Sequence, residues 1–159
     1  MKNLLSFMKE INTIIHIHAP SEIVWETLMN FRDYPDWNPF IKSIEGKPVK
    51  GESISVTVQP PDGRPVTFKP SVLKSDDQKE FRWRGKVMVK GLFDGEHYFI
   101  LTKLPNGSTA VNHGESFSGL IVPLMRGVLQ KTERGFKRMN IALKERCEQK
   151  YKATKNNSA

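Results

Sequence analysis

The stretch EINTIIHIH is rich in β-branched residues and predicts a strand over residues 10–18. Ala19-Pro20-Ser21-Glu22 then opens a helix, since proline is tolerated in a first turn. Ile23, Val24, Leu28 and Phe31 give that helix an apolar face at three- and four-residue steps. It ends no later than Tyr34, because the residue before Pro35 is pushed away from the α region. The next turn, DYPDWNPF, carries Tyr34, Trp37 and Phe40, where turns are ordinarily polar. Segments with strand character follow at 41–46, 52–59, 66–74, 79–90, 93–103 and 109–118. They are separated by turn chemistry: GKPVKG, PPDGRP, SDD, KG and LPNG.

From Leu120 to about Tyr151 the period changes. Ile121, Leu124, Met125, Val128, Phe136, Met139, Leu143 and Cys147 recur as one long amphipathic helix requires, with Pro123 in its first turn. KATKNNSA reads as a frayed tail. Successive strands without helices between them indicate an antiparallel meander. About seven such strands twist by roughly 20–25° from one to the next, so the sheet curls around the long helix. The expected class is α+β, with a tail at 1–9, one domain at 10–151 and a disordered basic tail at 152–159.

Composition narrows the function. At 159 residues, with 38% hydrophobic and 26% charged positions, the chain suits one globular domain. Cys147 is the single cysteine, which excludes a disulfide framework and a thiolate metal cluster. The start MKNLLSFMKEIN lacks the pattern of a signal peptide, and no stretch approaches the length of a membrane span. A cytoplasmic protein is expected. The net charge of +8 invites a nucleic-acid reading. Yet Lys144, Arg146, Lys150, Lys152 and Lys155, like Arg82, Arg84 and Lys86, lack the motif context of a nucleic-acid reader and are expected on solvated faces and a loose tail, so no specific nucleic-acid partner is expected.

Two stretches resemble a known group. In APSEIVWETLMNFRDYPDWNPFI the matching positions are Pro20, Val24, Trp25, Leu28, Tyr34, Trp37 and Pro39. In the second they are Gly91, Gly95, His97, Phe99, Gly107, Thr109, His113, Glu115, Phe117 and Gly119. With the final helix, these resemble the helix-grip superfamily of START and Bet v 1-like (SRPBCC) domains, in its polyketide cyclase/dehydratase and lipid-transport branch. The resemblance covers about residues 10–150. It implies a second short helix after the first and a hydrophobic cavity between the long helix and the sheet. Tyr34, Trp37 and Phe40 would then line or seal the mouth of that cavity, or Trp37 would plug the core. The activity stays open, because this fold hosts carriers, receptors and enzymes.

The last hairpin holds the candidate chemistry. If Lys103 faces Thr109 across LPNGS, His97 pairs with Glu115, Phe99 with His113 and Leu101 with Val111. Alternation puts these six and Phe117 on one face, more apolar than the face of Glu96, Tyr98, Ile100 and Asn112, and this face is assigned to the cavity. His97 and Glu115 then form either an acid–base couple or a satisfied polar pair that anchors a ligand's polar end. The carboxylate would raise the imidazole's pKa and burial would oppose it. His97, His113 and Glu115 offer zinc-type donors without zinc-motif spacing, so no metal and no cofactor is expected.

The leading expectation is a binding or transport protein for one small hydrophobic or amphipathic molecule. Trp37, Phe40, Trp83, Phe99, Phe117, Leu124 and Val128 are its expected apolar lining, and His97, His113 and Glu115 its polar contacts. A second reading is a cyclase or dehydratase with His97 and Glu115 as its catalytic couple. A third is a partner-binding module, or a carrier that touches anionic membrane weakly through its basic C-terminus.

Overall fold

The computed structural model describes residues 7–86 and 93–158. Most of the N-terminal tail and the end of the fourth expected segment, 87–90, lie outside the described residues. Strand β1 spans Phe7–Ile17 and buries Ile11, Thr13 and Ile17 while Asn12, Ile14 and His16 face out. It therefore begins three residues inside the expected tail. Helix α1, Ser21–Met29, starts after an extended Pro20 and buries Val24 and Leu28. A 3₁₀ turn at Phe31–Asp33 leads into the short helix α2, Tyr34–Trp37. Tyr34 takes helical angles although Pro35 follows it, so the proline sits inside the first turn of α2 instead of ending a longer helix.

Strands β2 (Ile41–Glu45), β3 (Ser55–Val58) and β4 (Val66–Phe68) form a three-stranded sheet. Strands β5 (Ser71–Asp76), β6 (Glu80–Lys86), β7 (Asp94–Lys103) and β8 (Thr109–Gly119) join β1 in a five-stranded one, in the order β1-β8-β7-β6-β5. The described residues thus contain eight strands, against about seven expected. The single strand expected at 66–74 divides at Pro70, which has no N–H for a ladder. The two sheets remain stitched together, because Gly51 and Glu52 exchange backbone hydrogen bonds with Val72 at 2.9 Å and Ile54 N–H donates to the Pro70 carbonyl at 3.0 Å.

The long helix α3 covers Arg126–Asn157 and packs its buried stripe of Phe136, Met139, Asn140, Leu143 and Cys147 into the curved sheet. Each large apolar side chain so buried contributes roughly 1.5–3 kcal/mol. The helix begins later than the pattern suggests, because Val122–Leu124 forms a separate 3₁₀ turn that uses Pro123. It also ends later. Residues 152–157 are exposed yet helical, held by Thr154 Oγ1 donating to the Lys150 carbonyl and by Lys155 over the Tyr151 ring at 4.3 Å.

Part of the surface charge is paired. Arg82 and Arg84 bind Glu80 and Glu96 at 2.6–2.9 Å on the outer face of β6 and β7. Near the C-terminus Lys144 pairs with Glu148, Arg146 with Asp33 and Lys150 with Glu26. Among the described residues no helix is long and apolar enough to cross a membrane. On the outer face Tyr98 packs against Gly114, is only 4% exposed, and donates to Glu10 at 2.7 Å.

Gly135 sets how closely α3 approaches the rest of the fold. A Cβ there would overlap the Phe40 ring. Gly135→Ala is therefore expected to lower stability by about 1–3 kcal/mol, the usual cost of overpacking. Urea denaturation of the two proteins at one pH measures it.

Candidate functional site

Pairing across the sheet writes out the site in rows. Trp83, His97, Glu115 and Ile11 face one another on β6, β7, β8 and β1. One step along, Phe81, Phe99, His113 and Thr13 form the next row. The register is the one the hairpin turn implies, so the expected pairs all meet. A third row contains Gly85 and Gly95, opposite each other and followed by Phe117. Two adjacent glycines remove two side chains from the concave face, and space opens there.

That space is a cavity of about 200 Å³ between the sheets and α3. Ile41 and Phe40 enclose it on one side, with Val58, Val66 and Phe68 from β3 and β4. Trp83, His97, Glu115 and Phe117 come from the five-stranded sheet, and Val128 and Thr132 from α3. Neighbouring side chains come close to both glycines. A Cβ on Gly95 would overlap Glu115 Oε1, and one on Gly85 would come within 3.2 Å of the Phe68 ring.

Of the residues expected to touch a ligand, Phe40, Trp83, His97, Glu115, Phe117 and Val128 line this cavity. Phe99 and His113 do not: both are completely buried behind its wall. Trp37 packs against Tyr34 with ring centroids 5.1 Å apart and is not part of the lining, and Leu124 is 84% exposed on its 3₁₀ turn. The aromatic turn is chiefly core. Tyr34 is fully buried and donates to the Leu28 carbonyl, and Asn38 Oδ1 accepts from the Phe40 and Ile41 amides at 2.9 and 2.8 Å. Of its three aromatics, only Phe40 reaches the cavity.

The polar pair sits in an aromatic cage. The His97 ring stacks on Trp83, 4.3 Å between centroids and 3° between planes, and meets Phe99 and Phe136 edge-on at 5.0 Å. Its Nδ1 lies 3.4 Å from Glu115 Oε2. Burial pushes the His97 pKa down to about 3 and that of Glu115 up to about 8. Desolvation therefore overrides the attraction that would have raised the imidazole. His113, sandwiched between Phe99 and Phe136, is also held well below the ordinary histidine value, by burial first and by the neighbouring His97 second. At neutral pH the site offers an uncharged imidazole beside an uncharged carboxylic acid. One can take a proton and the other can give one.

The sequence reading missed Gly85, the apolar wall from β3 and β4, and Asn140, and it named Gly95 only as a motif position. Asn140 left a signal, since a polar residue on the core stripe of a helix must find partners.

A carboxyl that ionises near 8 when folded and near 4.3 when unfolded weakens folding as pH rises between those values, by up to about 1.4 kcal/mol per unit. His97 acts in the opposite sense, removing stability as pH falls from about 6.5 toward 3. Glu115→Gln deletes the first effect alone. Its stability relative to wild type is expected to rise by about 2–4 kcal/mol between pH 5 and pH 8, as read by urea denaturation at both values.

The fold has solved counterparts. An aromatase/cyclase, Zhui, from Streptomyces sp. R1128 superposes with a TM-score of 0.72 at 16% identity, covering 89% of this chain and 94% of its own. A truncated norcoclaurine synthase from Thalictrum flavum gives 0.70 at 13% identity, over 91% and 96% of the two chains. A START superfamily protein from Mycobacterium smegmatis gives 0.69 at 19%, over 88% and 97%. These identities establish a shared fold and nothing finer. No curated protein is significantly similar in sequence. The family model for polyketide cyclase/dehydrase and lipid transport matches residues 8–148, nearly the whole chain. The chain belongs to that polyketide cyclase/dehydrase and lipid transport family.

Proposed function

We propose that this protein binds one small apolar or amphipathic molecule between α3 and the sheet, with the molecule's polar end against Glu115 and His97. The observation that carries this reading is the cavity itself: apolar walls from both sheets and the helix around one carboxyl–imidazole pair, its imidazole buried and its carboxyl partly so. Few polar groups in an apolar enclosure is the usual composition of a ligand site. Its volume of about 200 Å³ falls below the roughly 300–1,000 Å³ of drug-sized sites, which favours a single small aromatic or short-chain compound. The uncharged state of the pair favours a neutral hydroxyl or carbonyl head over a carboxylate.

That same state supports a second reading, a cyclase- or dehydratase-type reaction. Protonated Glu115 would donate to a departing oxygen while neutral His97 removed an activated proton. The membrane-docking reading has less support, because Lys144, Arg146 and Lys150 already have acidic partners, which leaves Lys152 and Lys155 of that run without an ion pair among the described residues.

Native mass spectrometry with a panel of small phenols, aryl ketones and short-chain fatty acids tests the binding reading. A one-to-one adduct is expected with neutral aromatic members, weakened at least tenfold by Val128→Trp, which fills the cavity from the helix side. Absence of any adduct, or one that Val128→Trp leaves unchanged, would overturn it. If turnover of a bound compound is found, His97→Ala is expected to abolish it while largely retaining the adduct; turnover that survives rules out the catalytic couple.

A further inference from the structure

Behind the cavity wall a chain of hydrogen bonds runs from Glu115 into the core. His97 Nε2 lies 3.1 Å from His113 Nε2, and His113 Nδ1 lies 2.7 Å from Asn140 Oδ1. Asn140 Nδ2 donates to Thr13 Oγ1 at 2.8 Å, and Thr13 Oγ1 donates to the His113 backbone carbonyl at 2.7 Å. Asn140, His97 and His113 are each at most 3% exposed and Thr13 is 7% exposed. Water therefore has little access to rescue a wrong proton.

The chain has one self-consistent proton arrangement with both rings neutral. Thr13 has a single hydroxyl hydrogen, which goes to the His113 carbonyl, so its oxygen is free to accept from the Asn140 amide. That fixes the amide with Oδ1 toward His113, and His113 Nδ1 must carry hydrogen. Neutral His113 then has a bare Nε2, so His97 Nε2 must carry hydrogen toward it. His97 Nδ1 is left bare and faces Glu115. Reversing the order means turning the Asn140 amide over, which sets its NH₂ toward His113 and makes Thr13 give up its bond to the carbonyl.

We propose that Asn140 and Thr13 are positioning residues that hold His97 in its Nε2–H tautomer, so that His97 Nδ1 stands as the proton acceptor at the cavity wall. Asn140 acts through His113 and touches no ligand. The contact from Nδ1 to Glu115, at 3.4 Å, is long for a hydrogen bond, so a hydroxyl of a bound molecule can enter and share it. The tautomer assignment stands on the hydrogen-bond chain alone; its use on a ligand rests on the acid–base reading of the pair given above.

Histidine tautomers are read directly from two-bond ¹H–¹⁵N correlation spectra of the ligand-free protein at pH 7, where a bare ring nitrogen resonates far downfield of a protonated one. The wild type is expected to show His113 as Nδ1–H and His97 as Nε2–H. Asn140→Leu removes the acceptor and is expected to shift both rings toward the opposite tautomers, while Asn140→Asp, which keeps an oxygen there, restores the wild-type pair. His113 found as Nε2–H in wild type, or spectra unchanged in Asn140→Leu, would overturn the proposal. Should Asn140→Leu fail to fold, the wild-type assignment still decides it. These readouts need neither ligand nor turnover, so an empty cavity in the mass spectrometer and a wrong tautomer here are separate failures.

Discussion

The antiparallel register of β7 on β8 is the constraint from which the rest of the site follows. It sets His97 opposite Glu115 and Phe99 opposite His113, and it puts Phe117 beside the Gly85–Gly95 pair. Side chains alternate across a strand, so a slip of one residue would turn this entire set to the outer face. The turn at Leu104–Ser108 resists that slip. Leu104 N–H donates to the Ser108 carbonyl at 2.9 Å, and Asn106 Oδ1 accepts from the Ser108 amide at 3.0 Å. The adjacent β1 then adds Thr13 to the row of His113, which joins sheet and helix through Asn140.

Much of this was legible in the chain because it rests on local rules. Alternation between LPNGS and its flanking strands fixes which residues pair, and the three- and four-residue steps after Leu120 locate the long helix. Failures came where distant neighbours decide. Phe99 and His113 were assigned to the correct face, but α3 and Phe136 cover them, and no strand pattern reports what a helix places on top. Trp37 looked available because its turn is rich in aromatics, yet Tyr34 takes it into the packing. The bounds of the expected cavity escape the sequence for a different reason. Its walls come from both sheets and α3, and the sequence does not report that Gly85 and Gly95 sit opposite each other on β6 and β7 along one of them.

The electrostatics share one cause. Trp83, Phe99 and Phe136 exclude water from the two histidines, and the resulting preference for neutral groups extends to Glu115. With charge disfavoured throughout, orientation of hydrogen atoms, not attraction between ions, becomes the means by which one residue affects the next. This is why a threonine and an asparagine distant from the cavity bear on its chemistry.

The Gly85–Gly95 pair also bears on the energetics of the whole domain. Apolar walls around unfilled space forgo dispersion contacts that a close-packed core would make, and the fold carries that deficit as long as the space stands empty. A molecule that fits supplies those contacts only in the folded state, so occupancy raises the free energy of unfolding in proportion to the logarithm of its concentration. The melting temperature thereby becomes a gauge of what the cavity accepts, with no need to know in advance whether the occupant is cargo or substrate.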